Sequence, residues 1–204
     1  MIKEFFQKHK RIILLIFLLI ATIGIPCLYK KISINYYTIH GDKNFYAEDY
    51  GKAIQDYTQV LKLNKNDAIT YHSRANAYLF IRNYDKAIAD FDKAIELKKD
   101  YALAYFDRGR AYTTLRDYEK AIEDYSKAIY YDENLAWGYT YRGDSYVIIG
   151  NYIKAIEDYE QAINKELKIP ELYLRLSKAY KNIGQYQKSE ENLEKAKELG
   201  YKPE

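Results

Sequence analysis

Tyr118-Glu119-Lys120-Ala121-Ile122-Glu123-Asp124-Tyr125 is the stretch that decides the fold, because its outline returns every 34 residues. Ala53-Ile54, Ala87-Ile88, Ala121-Ile122 and Ala155-Ile156 keep that interval without insertion or deletion. A tyrosine (Tyr50, Tyr84, Tyr118, Tyr152) stands three places before each alanine, and Tyr186 continues the series ahead of Ser189. A fixed period of this length means a stack of identical supersecondary units, none of which can bury its apolar face alone. Stacks of this kind serve as surfaces for holding other molecules.

Working outward from the alanines, five units start at Ile34, Ala68, Ala102, Ala136 and Pro170. They span residues 34–67, 68–101, 102–135, 136–169 and 170–203. Within a unit the apolar and small residues fall at places 4, 8 and 11, then at 17, 20, 24 and 27. In the third unit these are Tyr105, Gly109 and Tyr112, then Tyr118, Ala121, Tyr125 and Ala128. Steps of three and four are helical spacing, so each unit reads as two amphipathic helices. A polar turn such as Leu115-Arg116-Asp117 joins them. The aromatic is a knob, and the Gly or Ala is the hole that lets the paired helix come close.

The spaced tyrosine, glycine and alanine positions resemble the tetratricopeptide repeat, whose pattern is an aromatic, Leu-Gly, Tyr, then Ala, an aromatic and Ala. The resemblance covers residues 34–203 and implies an all-α, right-handed superhelical solenoid of five helix-turn-helix repeats. Departures from the pattern are specific. The Leu before Gly is Arg in three units (Arg74, Arg108, Arg142), and the closing Pro is replaced by Lys65, Lys99, Glu133, Leu167 and Tyr201. Asn44 stands where the first unit should have Tyr.

Seventeen of the 25 tyrosines sit at places 4, 11, 17 or 24, which assigns the tyrosine excess to packing. A nucleic-acid platform would need those rings exposed among surplus Lys and Arg. Residues 32–204 carry 26 Lys and Arg against 28 Asp and Glu, so nucleic acid is excluded as a partner. The net charge of +3 comes from the first 31 residues.

Those residues form a basic tail (1–11) and an apolar run, with twelve Ile, Leu or Phe among the seventeen positions from Ile12 to Leu28. The run gives roughly 26 Å of helix, enough for the apolar layer of a bilayer with its flanks snorkelling. We expect a transmembrane anchor over residues 12–29, in contact with membrane lipid. A cleaved secretory signal is the other reading, but no small-x-small site follows and Pro26 sits poorly beside a cut. Lys3, Lys8, Lys10 and Arg11 precede the run, while Lys30, Lys31 and Lys43 follow it. That bias sets the amino terminus inside and the repeats on the non-cytoplasmic face of a bacterial inner membrane. Cys27, the sole cysteine, can form no internal disulfide.

The sequence offers no catalytic constellation, metal-ligand spacing or phosphate loop, so neither an enzyme nor a cofactor is expected. The functional expectation is a membrane-anchored scaffold that binds a peptide or helix of an unidentified protein. The alternatives are a glycan- or wall-binding accessory and a cytosol-facing import or chaperone adaptor. The carboxylate clamp of such adaptors is not implied, since no window of units matches more than two of its five places. The resemblance puts the binding surface on the first helices. Its candidates are His72, Asn76, Leu79 and Phe80, then Phe106, Arg110, Thr113 and Thr114, then Trp137, Thr140, Asp144, Val147 and Ile148. Trp137 is either the anchor of that groove or a packing residue folded back near Tyr130.

Two further expectations concern charge. Arg74, Arg108 and Arg142 should pair across unit boundaries with Asp56, Asp90 and Asp124. Glu190 and Lys197, where earlier units carry Ile or Leu, should face water as a terminal, self-capping fifth unit requires.

Overall fold

The computed structural model describes residues 20–202. Among them the chain is helical throughout: a π-helical turn (Ile20–Gly24) and ten α-helices. These are α1 (Ile25–Tyr46), α2 (Tyr50–Leu63), α3 (Ala68–Phe80), α4 (Tyr84–Leu97) and α5 (Ala102–Thr114). They continue as α6 (Tyr118–Tyr131), α7 (Ala136–Ile148), α8 (Tyr152–Asn164), α9 (Pro170–Asn182) and α10 (Tyr186–Glu198). Each odd helix pairs with the even one after it, and each even helix packs on the next odd one, which makes the stack. First helices α3, α5 and α7 also touch in succession and so form the inner layer.

Each turn inside a unit is built the same way. Its left-handed residue lies at place 15: Glu48, Arg82, Arg116, Gly150 and Gly184, with φ of 59–80°. In the second unit the Asn83 N–H returns to the Tyr78 carbonyl and the Arg82 N–H to Leu79, a Schellman ending. The next residue then starts the second helix. Asp49, Asn83, Asp117 and Asn151 each accept the N–H of the lysine three places on, satisfying a donor the helix leaves open.

The sequence places the first helix of the first unit at Ile34, but α1 begins at Ile25 and runs unbroken through that point. Pro26 explains the start, since a first-turn proline has no N–H to lose. The expected anchor therefore does not end before the array. Its residues 20–29 are the π-helical turn and the start of α1, and its residues 12–19 lie outside the described ones. Among the described residues no helix is long and apolar enough to cross a membrane.

The knob-and-hole reading is realised at places 8 and 24. A Cβ on Gly41, Gly109 or Gly143 would lie 2.7–2.8 Å from a ring carbon of Tyr57, Tyr125 or Tyr159. The second unit has Ala75 in one buried cluster with Phe91, which lacks the hydroxyl. The three tyrosines use theirs: Tyr57 and Tyr159 donate to Asp42 and Asp144, and Tyr125 meets Thr113. Gly143→Ala should lower stability by about 1 kcal/mol, the strain of a filled hole set against the gain of alanine in a helix. Adding Tyr159→Phe should restore part of that loss, as the Ala75–Phe91 pair foreshadows. A urea-unfolding cycle in which the two changes simply add would disprove the coupling.

The arginine ladder exists, in a different register from the one expected. Arg74, Arg108 and Arg142 each grip an aspartate of their own unit (Asp90, Asp124, Asp158) through Nε and Nη2 at 2.6–2.9 Å. The reason is hairpin geometry: two helices folded back on a turn at place 15 set place 7 opposite place 23. The third nitrogen, Nη1, is what crosses the boundary, to Thr58, Asp92 or Ser126 of the preceding unit. Asp56, left without an arginine, accepts from Asn44, the residue that interrupts the tyrosine pattern. Burial raises the Asp124 and Asp158 carboxyls above the usual carboxylate value in spite of their arginines.

The tyrosines of places 4 and 11 are half-buried, and the place-4 rings Tyr71, Tyr105 and Tyr139 lie 5.6–5.7 Å from these guanidiniums, with Tyr78 also 5.9 Å from Arg74. The lysine of the recurring stretch covers the place-11 ring from outside, at 5.1–5.5 Å for Lys86, Lys120, Lys154 and Lys188. In the fifth unit, buried Leu176 and Asn192 take the ladder places. There Glu190 and Lys197 are exposed, while Ile95 and Ile156 on the equivalent stripe are buried.

Candidate functional site

The inner layer carries two polar clusters joined by aromatic rings. In the first, α3 meets α5: His72 Nε2 lies 2.8 Å from Asp107 Oδ2, and Asn76 donates to the same oxygen at 3.3 Å. Arg110 Nη1 takes the other oxygen at 2.9 Å. Burial works to raise the Asp107 carboxyl, but the hydrogen bond and charge of His72, with those of Arg110, hold it below the usual carboxylate value. His72 rests between Phe91 and Tyr101, with ring centres at 5.7 and 5.0 Å. Beside this cluster Asn76, Leu79, Phe80, Tyr84, Arg110 and Thr114 line a shallow recess.

The second cluster joins α7 to α9. Asp144 Oδ1 accepts the Tyr159 hydroxyl at 2.7 Å and lies 3.1 Å from Arg175 Nε. Burial lifts this carboxyl above its usual value, with Tyr159 and Arg175 acting against it. Around it opens a larger, mainly apolar cavity lined by Tyr141, Val147, Ile148 and Ala179, with Arg175, Lys178 and Asn182 at its edge. Phe106, Tyr125 and Tyr141 bridge the clusters with ring centres 5.4–5.9 Å apart, and Trp137 continues the run 6.2 Å from Tyr141.

The structure thus brings most of the expected surface residues to one face and sorts them by role. Trp137 is 43 % exposed and packs on Tyr141, one turn along its own helix, while Tyr130 pairs with Tyr131 instead. Phe80 stacks flat on Tyr50 at 4.7 Å and remains half open to the recess. Arg110 and Asp144 already have protein partners, so each presents only its remaining hydrogen-bonding capacity. Thr140 is excluded: it is 1 % exposed and bonds the Ala136 carbonyl. Sequence reasoning missed place 6 of the units, which supplies Asp107, Tyr141 and Arg175. It also missed the contribution of α9. Place 6 adjoins place 9 on one helix face, so its mix of charge and aromatic was the available signal.

Two family models, each described as tetratricopeptide repeat, match residues 72–134, and residues 139–164 with 170–199. The chain is a tetratricopeptide-repeat protein. Solved structures agree. The crystal structure of MamA protein is 28 % identical, covering 82 % of this chain and 91 % of its own, with a TM-score of 0.75. MamA from Desulfovibrio magneticus RS-1 superposes equally well (0.75) at 17 % identity, over 82 % of this chain and 94 % of that one. YrrB, described as a TPR protein with an unusual peptide-binding site, is 18 % identical with a TM-score of 0.68, over 80 % and 84 % of the two chains. At such identities the last two show the shared fold alone. No curated protein matches the chain at a significant level.

Proposed function

We propose that this tetratricopeptide-repeat protein is an assembly scaffold, held at a membrane by residues 12–29, whose inner face binds a peptide or helix of a protein partner. One observation carries the binding part: the mainly apolar cavity of Tyr141, Val147, Ile148 and Ala179, rimmed by Arg175 and Lys178. A recess of that character accepts an apolar side chain, and the two cations beside it favour an acidic or carboxylate group next to that side chain. Ile148 at its mouth is 53 % exposed, a large apolar group with no packing role there. The anchoring part rests on the apolar run of residues 12–28.

The test is a photo-crosslinking side chain introduced at position 148 of the full chain in its native cell. A control carries it at position 153, where Ile153 is somewhat more open on α8. Discrete adducts from position 148 alone support the inner face. Equal adduct patterns from both positions, or none from position 148, defeat the reading. Release of the protein by alkaline carbonate would remove the anchor while leaving the groove intact.

A further inference from the structure

The outward face of α1 is an apolar helix face that no described segment covers. In later units the corresponding face of the first helix is occupied by the second helix of the unit before. Ala77 shares a buried cluster with Ala53 and Tyr57, and Ala104 shares one with Phe91 and Ala94. The equivalent places on α1 hold Tyr36 and Lys43, both exposed. Here the surface is not polar. Ile25, Tyr29, Ile32, Tyr36 and Ile39 are 60, 72, 59, 53 and 56 % exposed. Their spacing alternates four and three, the heptad of a coiled-coil seam, with Lys43 at the next core position.

The occupant has to be a helix with a matching apolar stripe. The far end of the array cannot supply it, since α10 turns Glu190 and Lys197 to solvent. A head-to-tail contact would therefore set charge against isoleucine. What matches α1 is α1 itself, in the self-complementary arrangement of a two-fold dimer. Half- to three-quarter-open Ile and Tyr side chains along this seam offer on the order of 600 Å² per copy, near the roughly 800 Å² per partner of a stable interface.

We propose that α1 is a self-association surface, packing along α1 of a second copy in a two-stranded coiled coil through Ile25, Tyr29, Ile32, Tyr36 and Ile39. Lys43 is the single polar core residue that sets its register. The seam is separate from the inner face, so the dimer carries two grooves and leaves both open.

The full chain in dodecyl maltoside micelles tests this. Light scattering should report a dimer at about 10 µM protein. Oxidation should link copies through a cysteine at position 32 (Cys27→Ser/Ile32→Cys) and not through native Cys27, which is exposed but points away from the seam. Ile32→Glu/Ile39→Glu should weaken the dimer at least 100-fold with its helical signal unchanged. If that pair loses helix, Tyr36→Glu alone serves the same comparison. A monomer, whether bare or covered by its own residues 1–19, overturns the proposal. So does a dimer indifferent to Ile32 but broken by changes at Glu190 and Lys197. So too does a monomer that binds phosphatidylcholine–phosphatidylglycerol vesicles through Ile32, which would make the face a lipid surface.

Discussion

Arg142→Met should destabilise the array by about 3–5 kcal/mol, because it leaves the Asp158 carboxylate buried without its cation. Asp158 is 4 % exposed, and its two oxygens are taken by Arg142 Nε and Nη2. The same change removes the cation from the face of the Tyr139 ring and frees the Ser126 hydroxyl that Nη1 holds across the unit boundary. For an array of this size the melting midpoint should fall by roughly 10 °C. The fifth unit shows the remedy, since Leu176 and Asn192 fill these two places without charge. Arg142→Leu/Asp158→Asn should therefore recover most of the loss. Thermal melts of the three proteins decide it: a single variant within about 1 kcal/mol of the parent would show that water reaches Asp158 and that the ladder is ornamental.

Trp137→Ala should weaken partner binding by at least about 2 kcal/mol, some 30-fold in Kd, while leaving stability nearly unchanged. The separation follows from its position. With 43 % of its surface open and Tyr141 as its ring neighbour, Trp137 contributes little to the core. It nevertheless stands at the end of the aromatic run that leads to the apolar cavity. Adduct yield from position 148, titrated against the variant, reads the first effect, and a urea melt reads the second. Undiminished capture, or a protein that unfolds at lower urea in step with its lost capture, would return Trp137 to packing.

How far the sequence could be read depended on whether a feature belonged to one helix or to two. The helix starts at Ala68, Ala102, Ala136 and Pro170 follow from a period that a single strand of text displays. The glycine holes follow too, because places 8 and 24 change together, Gly–Tyr in three units and Ala–Phe in one. The charge ladder was legible as a set of residues and misread as a set of pairs. Periodicity shows which arginines and aspartates recur, but the fold-back of the hairpin decides whether each arginine meets the aspartate before it or the one after it. Thr140 failed for a related reason: it shares place 5 with His72 and Phe106, but its short side chain turns back to the Ala136 carbonyl and is covered, which a period cannot display. Asp107, Tyr141 and Arg175 were hidden because each gains its meaning from a partner on another unit. The length of α1 lay beyond the repeat pattern altogether, since nothing in a 34-residue period speaks of what precedes its first copy.

The turns inside the units have a bearing on how this protein can change. Glu48, Arg82 and Arg116 hold a backbone shape that side chains resist, while Gly150 and Gly184 adopt it freely. Each resisting residue stores on the order of 1 kcal/mol, held in place by the pairing of the helices on either side. Three turns on the rim of the array are thus wound springs, and the remaining two have been let down. A lineage under pressure to harden this scaffold could release them one at a time with glycine or asparagine, touching neither the groove nor the seam. Conversely, the slack already taken in the last two units is room in which their helices can accept destabilising changes without falling apart.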